Sequence, residues 1–141
     1  MDQRKEIISP VHIPSQASTK MTAHDFFERG NAHSNEGNAD SALADYTEAI
    51  RLDPYCAQAY YYRGMVHFES GDTDAALADY TEAIRLNPTY ANAYYNRTYV
   101  RAAKQDFRGA VRDALKFLKI APKDRDVSEI QARLKEWRQR S

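Results

Sequence analysis

One ten-residue segment occurs twice in this chain without a single change. The sequence LADYTEAIRL occupies residues 43–52 and again residues 77–86, a displacement of 34 positions. A fixed period of this size is typical of proteins built from stacked repeats, in which each unit covers the apolar face of its neighbour. Such a chain builds one extended surface rather than one enclosed pocket, so we expect it to hold another molecule rather than to catalyse a reaction.

Each repeat is expected to be a pair of antiparallel helices. Within residues 41–52 the apolar side chains fall mostly three and four positions apart, which places them along one stripe of a helix. Asp53-Pro54 ends this helix, since the residue before a proline disfavours helical dihedral angles. Gly37-Asn38 lies between the two helical stretches and supplies the turn.

The repeated positions extend beyond the identical segment. They match a pattern of a large aromatic, a glycine, an aromatic or histidine, an alanine with an aromatic four residues on, and a proline. On these residues the chain resembles the tetratricopeptide repeat family. The first copy is filled by Phe26, Arg29-Gly30, His33, Ala42, Tyr46 and Pro54, and the second by Tyr60, Arg63-Gly64, His67, Ala76, Tyr80 and Pro88.

A third copy, in residues 91–122, keeps only part of this pattern. It retains Arg97 and Pro122, but Thr98 stands where the glycine stood and Ala114 where the tyrosine stood. A glycine inside a first helix costs about 1 kcal/mol relative to alanine and is tolerable where a neighbouring helix must come close. We therefore expect Thr98 to loosen the third hairpin.

The resemblance implies an all-α fold. It is a right-handed superhelical stack of three antiparallel helix hairpins, of the α-solenoid type, with a seventh helix as a cap. The repeats are expected at about residues 23–56, 57–90 and 91–124, and the capping helix at about residues 126–140. A cap is needed because the last repeat has no successor to cover its apolar face.

The segment predicted to cap the stack carries its own helical signals. Asp126 with Glu129 resembles a capping box that could start the helix. The single tryptophan, Trp137, is expected to pack on the third hairpin rather than to bind a ligand. Its companions on the apolar stripe are Val127, Ile130 and Leu134.

The N-terminal residues differ in character from the repeats. Residues 1–20 include Pro10 and Pro14 and follow no long helical period, so we expect a flexible arm preceding a single repeat domain at residues 21–141. No apolar run approaches the roughly 18 residues of a membrane span, and none forms a signal-peptide core. The protein is therefore expected to be soluble and cytoplasmic. Cys56 has no partner for a disulfide or a zinc site.

Charge is balanced overall but unevenly distributed. The formal net charge is zero, with 20 basic and 20 acidic residues, which argues against a general nucleic-acid or membrane-surface role. Residues 21–96 hold 4 basic and 12 acidic residues, whereas residues 97–141 hold 13 basic and 6 acidic. One interpretation is weak head-to-tail self-association of an acidic front with a basic rear, or a partner that is itself dipolar. The alternative is solvated helix faces of no consequence.

The resemblance also implies a groove lined by the first helix of each hairpin. Tyrosines there offer large contact area, and amide side chains can pair with a peptide backbone, so an extended or helical peptide with apolar side chains is the expected ligand. Some tyrosines could instead pack between units, which we favour for Tyr60 and Tyr94. The candidate groove residues are Phe27, Asn31, Gln58, Tyr61, Tyr62, Met65, Asn92, Tyr95, Asn96 and Tyr99, with His24, Glu28, Asn35, Phe68, Glu69 and Ala103 beside them.

One common ligand of the family is not expected here. Many members that bind heat-shock chaperones grip a terminal carboxylate with Lys and Asn from the first hairpin, Asn from the second, and Lys and Arg from the third. Without cations the charge-assisted bonds to a carboxylate cannot form. The matching positions in this chain are Phe27, Asn31, Tyr62, Asn92 and Asn96, of which only Asn31 fits.

Two further sets of residues repeat with the period. An arginine recurs in each first helix and an aspartate in each second helix, which predicts an internal Arg–Asp bridge in every hairpin. The pairs are Arg29 with Asp45, Arg63 with Asp79, and Arg97 with Asp113. The alternative is that the arginines turn into the groove toward an anionic ligand. His33 and His67 also recur, and a pH-sensitive contact between hairpins is favoured over a metal site.

The sequence contains none of the residue patterns that mark common enzymes. There is no Ser-His-Asp constellation, glycine-rich phosphate loop or His-Glu-x-x-His helix. We therefore expect a protein that is not an enzyme, needs no cofactor and no metal, and binds a protein partner whose identity the sequence does not reveal.

Overall fold

The computed structural model describes residues 19–141, so the predicted arm lies outside the described residues except for Thr19 and Lys20. The described part of the chain is all helical, as the resemblance implied. In chain order the helices are α1 (Ala23–Asn35), α2 (Ala39–Leu52), α3 (Ala57–Glu69), α4 (Thr73–Leu86), α5 (Ala91–Ala103), α6 (Phe107–Ile120) and α7 (Val127–Arg140). Within residues 19–141 no helix combines the length and apolar character needed to cross a membrane.

The helices form three hairpins that stack in register, which confirms the predicted architecture. Each odd-numbered helix from α1 to α5 packs against the helix that follows it, and α7 packs on α6. Between hairpins, α2 packs against α3 and α4 against α5, while the first helices also touch one another, α1 to α3 and α3 to α5. The first helices therefore share the inner side of the stack, and the second helices form its outer side.

The helix ends follow local rules that the repeat pattern alone does not specify. A capping box starts α1, because Thr22 Oγ1 accepts from the Asp25 amide at 3.2 Å and Asp25 Oδ2 accepts from the Thr22 amide at 2.8 Å. The turns inside the first two hairpins need positive φ, and glycine supplies it at Gly37 (78°) and Gly71 (84°). In the third hairpin Gln105 adopts φ 62° instead, a strained choice for a residue with a side chain.

Each of the first two hairpins has one tight crossing of its two helices. A Cβ added to Gly30 would lie 2.8 Å from Cε1 of Tyr46, and one added to Gly64 would lie 3.0 Å from Cε1 of Tyr80. The glycines are therefore required by the tyrosine rings, both of which are almost completely buried.

In the third hairpin the larger of the two side chains at this crossing lies on the first helix instead of the second. Thr98 replaces the glycine and Ala114 replaces the tyrosine, and both are completely buried at 0% exposure. The larger residue on α5 is thus matched by a smaller one on α6, and the loosening expected from Thr98 stays a prediction. Thr98 also donates a hydrogen bond from Oγ1 to the Tyr95 carbonyl oxygen at 2.5 Å, which satisfies its buried hydroxyl.

The last helix covers the third hairpin. Trp137 is 4% exposed, and it packs with Ile130 and Leu134 against Phe117 of α6, as predicted. The predicted capping box is absent: α7 does begin after Asp126, but that side chain makes no capping hydrogen bond. Glu129 instead accepts a hydrogen bond from a tyrosine of α5, which draws it away from the helix start.

Candidate functional site

The predicted Arg–Asp bridges are present in all three hairpins. In the third, Arg97 donates from Nε to Asp113 Oδ2 at 2.8 Å and from Nη2 to Oδ1 at 2.7 Å. The same two parallel bonds join Arg63 to Asp79 and Arg29 to Asp45. This bidentate geometry suits a planar guanidinium and fixes how the two helices of each hairpin meet.

The same guanidinium groups also join one hairpin to the next. Nη1 of Arg63 donates to Thr47 Oγ1 on α2 at 3.2 Å, and Nη1 of Arg97 donates to Thr81 Oγ1 on α4 at 3.2 Å. Arg63 further lies over the ring of Tyr60, at 5.7 Å from its centroid. These two arginines are thus occupied by the scaffold and do not point into the groove toward a ligand.

The repeated histidines contact the same aspartates. His33 Nε2 lies 3.6 Å from Asp45 Oδ2, and His67 Nε2 lies 3.8 Å from Asp79 Oδ2. The predicted contact between hairpins was therefore wrong, since each imidazole faces the carboxylate of its own hairpin. Within residues 19–141 no group of His, Cys, Asp and Glu side chains is placed to hold a metal ion.

The inner side of the stack opens into a cleft between the first and second hairpins. It has a volume of about 530 Å³, and Tyr62, 36% exposed, forms part of its wall. The ring of Phe27 meets that of Tyr62 edge to face at 5.5 Å between centroids, which holds the exposed ring in place. The cleft is lined by Asn31, Ser34, Asn35, Tyr46, Tyr62, Met65 and Glu69.

Tyr46 places a hydroxyl in this cleft although its residue is buried. The hydroxyl donates to Asn31 Oδ1 at 2.7 Å. Burial raises the pKa of Tyr46 from 10.0 to about 12, and the nearby charges of Glu28 and Glu69 add to the effect. Sequence reasoning assigned Tyr46 to the core and missed this role. The available signal was a tyrosine rather than a phenylalanine at a buried position, since a buried hydroxyl needs a partner.

Tyr61 does not face the groove, which corrects the sequence-based prediction. Its residue is only 8% exposed, and its ring packs against Tyr80 at 5.8 Å and Tyr90 at 4.9 Å between centroids. Asn96, another predicted groove residue, donates from Nδ2 to the Tyr61 hydroxyl at 3.1 Å.

Comparison with the first repeat explains why Tyr61 is buried. Phe27 of the first repeat corresponds to Tyr61 of the second. In the same way, Cys56, which follows the first repeat, corresponds to Tyr90, which follows the second. The smaller Cys56 leaves a cavity of about 140 Å³ beside Phe27, whereas the Tyr90 ring packs directly on Tyr61. One residue in the connection between hairpins therefore decides whether the aromatic at this position is open or covered.

The two predicted groove tyrosines of α5 are half-buried under α7. Tyr99 donates from its hydroxyl to Glu129 Oε1 at 2.9 Å, and its ring meets Trp137 at 5.7 Å. Tyr95 packs against Phe117 at 5.2 Å. The remaining predicted residues are exposed, in the case of Gln58 and Asn92, or half-buried, in the case of Phe27, Asn31 and Met65.

Comparison with known proteins agrees with this geometry. The sequence model of the family described as tetratricopeptide repeat (TPR) matches residues 27–91 and 66–125. The first TPR domain of Spaghetti (RPAP3), solved with the HSP90 peptide SRMEEVD, is 28% identical, with 84% of this chain and 94% of that chain covered and a TM-score of 0.76. The Arabidopsis OM64 TPR domain is 25% identical, with 82% and 95% covered and a TM-score of 0.77.

A more distant structure supports the fold alone. The TPR2B domain of yeast Sti1, in its complex with pHsp70, is 20% identical, with 86% of this chain and 100% of that chain covered and a TM-score of 0.78. No curated protein matches the chain in sequence.

Proposed function

Because this chain belongs to the tetratricopeptide repeat family, we propose that it is a non-enzymatic scaffold whose inner groove binds a peptide segment of a partner protein. The first and second hairpins provide the open part of this groove, around the cleft that Tyr62 borders. Exposed aromatic rings beside amide side chains suit a peptide, because rings bind apolar side chains while amides pair with the backbone.

The main support for this proposal is that the first two repeats differ mostly in their inner helices. The outer helices α2 and α4 agree at 12 of their 14 positions, whereas the inner helices α1 and α3 agree at only 4 of 13. Three of the constant inner positions, Arg29, Gly30 and His33, hold the hairpin together. Variation is thus concentrated on the inner helices, which carry the groove, as expected for a surface adapted to a ligand.

We propose further that the ligand is not a chaperone tail bound by its terminal carboxylate. RPAP3 takes the acidic peptide SRMEEVD, but the positions of this chain that correspond to the family's carboxylate-binding cations hold Phe27, Asn92 and Asn96. A carboxylate desolvated there would lack a charge-assisted bond. Isothermal calorimetry with SRMEEVD should give no measurable binding, and a micromolar dissociation constant would refute this part of the proposal.

The test of the main proposal uses a randomised peptide library and two matched alanine variants. Tyr62 borders the cleft at 36% exposure, whereas Tyr55 is 77% exposed in the connection between α2 and α3 and lies outside it. Wild type and Tyr55→Ala should enrich the same peptides, and Tyr62→Ala should bind them about tenfold more weakly, as for an aromatic anchor. No enrichment by wild type, or equal binding by all three proteins, would disprove the proposal.

A second candidate function is head-to-tail self-association, and the charge distribution on the structure favours it. Exposed basic side chains cluster on α6, α7 and the connection between them, around Leu115, which is 43% exposed. Within residues 19–141 none of these side chains forms an ion pair. They are Arg108, Arg112, Lys116, Lys119, Lys123, Lys135 and Arg138.

Association would bring this basic surface against exposed acidic residues of another copy, such as Asp40 and Asp72 in the first two hairpins. Light scattering at rising protein concentration should then show a mass that increases at low salt and returns to the monomer at high salt. A constant monomer mass at both salt concentrations would rule this candidate out.

A further inference from the structure

We propose that the cleft between the first two hairpins is a subsite for a lysine or arginine side chain of the bound peptide. This inference rests on the proposed function and adds the chemical class of the ligand. It commits to a peptide partner with a basic residue next to apolar ones, which the charge and the aromatic lining of the cleft both suit.

One glutamate lines the cleft, and a second lies near it. Glu69, on α3, lines it directly, and Glu28, on α1, lies one turn before Asn31 on the same helix face. Both side chains are close enough for their charge to act on the Tyr46 hydroxyl inside the cleft. Both residues are exposed, and no Lys or Arg within residues 19–141 forms an ion pair with either of them.

The walls of the cleft suit the rest of a basic side chain. The Tyr62 ring is a face over which an ammonium or guanidinium group can lie, and Met65 provides apolar surface for the methylene stem. Asn35 and Ser34 add polar groups at the edge. A single lysine or arginine of the peptide could therefore form charge-assisted hydrogen bonds with the carboxylate of the cleft and a cation–π contact with the Tyr62 ring.

Cations of the protein itself are kept away from this cleft. Arg63, the nearest arginine on α3, is held by Asp79 and Thr47 on the other side of the helix. Lys104, at the end of α5, pairs with Asp74. No basic residue lines the cleft, so the carboxylate of Glu69 in its wall is neutralised only by a ligand or by ions in solution.

The next junction of the stack lacks this arrangement, which makes the subsite specific to the first. One repeat later, the positions of Asn31, Tyr62 and Glu69 hold Met65, Asn96 and Ala103. Asn96 is already bonded to the Tyr61 hydroxyl. A peptide in the groove would thus place its basic residue at the first junction and less charged residues at the second.

The experiment selects peptides from a randomised displayed library with three proteins. They are wild type, Glu28→Gln with Glu69→Gln, and a control of Glu48→Gln with Glu82→Gln. The control changes the net charge equally, but its glutamates lie on the outer helices α2 and α4. Circular dichroism melting first establishes that all three fold. The selected peptides are then synthesised, together with versions in which each lysine or arginine is replaced by glutamine.

We expect wild type and the control to enrich peptides with at least one lysine or arginine. Replacing that residue, or using the Glu28→Gln with Glu69→Gln variant, should weaken binding about tenfold or more, as for loss of a charge-assisted hydrogen bond. Enriched peptides without basic residues, or unchanged affinity after the peptide substitution, would overturn the subsite while leaving the proposed function intact. No enrichment by wild type would overturn both. The peptide substitution decides the matter even if the double variant does not fold.

Discussion

Arg63 and Asp79, 16 residues apart in sequence, face each other through two parallel hydrogen bonds of 2.8 and 2.7 Å. The same pair occurs in every hairpin, but its access to water decreases along the chain. The arginine side chain is 49% exposed at Arg29, 21% at Arg63 and 11% at Arg97. Because water screens an exposed ion pair, identical geometry should contribute differently to stability in the three hairpins.

We expect Arg97→Leu to be the most damaging of the three arginine substitutions. It leaves Asp113 buried and without its main cation, which costs about 3 kcal/mol or more. Arg29→Leu should cost much less, since water can reach Asp45 once the side chain is removed. Urea denaturation followed by circular dichroism measures both. A loss for Arg29→Leu equal to that for Arg97→Leu would contradict this ranking.

The second hairpin pairs a glycine with a tyrosine where the third pairs a threonine with an alanine, and a double-mutant cycle can test whether these pairs are complementary. Gly64→Thr should destabilise the protein, because its side chain would meet the buried Tyr80 ring. Tyr80→Ala should also destabilise, by about 3–5 kcal/mol for loss of a buried aromatic. The double variant, which copies Thr98 and Ala114, should lose less than the sum of the two single losses. Strict additivity of the measured unfolding free energies would argue against complementary packing.

Stability should fall on the alkaline side, because buried tyrosines resist ionisation. Burial first, and then neighbouring charges, raise the pKa of Tyr46 from 10.0 to about 12. The unfolded chain thus releases this proton near pH 10, while the folded chain keeps it. The stability that results is fully present below pH 10 and is lost as pH rises toward 12, by about 1.4 kcal/mol per pH unit for each such residue.

The measurement is urea denaturation at a series of alkaline pH values. Tyr46→Phe should show a shallower loss than wild type, since it removes one ionisable hydroxyl from the folded interior. An equal slope for the two proteins would show that Tyr46 is not a source of the alkaline effect.

Alanine substitution of the neighbouring residues Tyr61 and Tyr62 should lower stability to different extents. Tyr61 packs between the second and third hairpins, so Tyr61→Ala should lower stability by about 3–5 kcal/mol. Tyr62→Ala should cost only about 1 kcal/mol and act mainly on peptide binding. Thermal melting separates the two. A larger drop in melting temperature for Tyr62→Ala would reverse the assignment.

Loss of the capping tryptophan should act locally. Trp137→Ala removes the ring that packs on Tyr99, so α7 should open more readily while the first two hairpins stay protected. Hydrogen exchange should therefore rise in residues 127–140 and in α5 and α6, with little change in α1 to α4. A uniform increase along the chain would show that the stack unfolds as a single unit instead.

The repeat made most of the fold predictable, because the same contacts must form at the same spacing. The Arg63–Asp79 pair could be predicted for this reason: both residues recur with the period, and a buried charge needs a partner. The position of Trp137 followed from the need to cover the last apolar face.

The groove was less predictable, because its exposure depends on contacts between repeats. Tyr60, Tyr61 and Tyr62 are consecutive and therefore point in different directions from α3. Tyr61 is covered by Tyr80 of α4 and by Tyr90 of the next connection, and these contacts are visible only in the structure. The role proposed for Glu28 and Glu69 likewise depends on two helices meeting, and neither residue is distinctive in its own segment.

The hydrogen bond from Arg63 to Thr47 has a consequence for how this chain could grow. Asp45 and Thr47 lie in one short block of α2, the first serving its own hairpin and the second the hairpin that follows. That block is repeated unchanged in α4, so each of these two second helices carries one acceptor for the arginine of its own hairpin and one for the arginine of the next. If a further copy of the middle unit, residues 57–90, were inserted after itself, its arginine would again meet a threonine on the preceding second helix, so this hydrogen bond between hairpins would be kept as the solenoid lengthens.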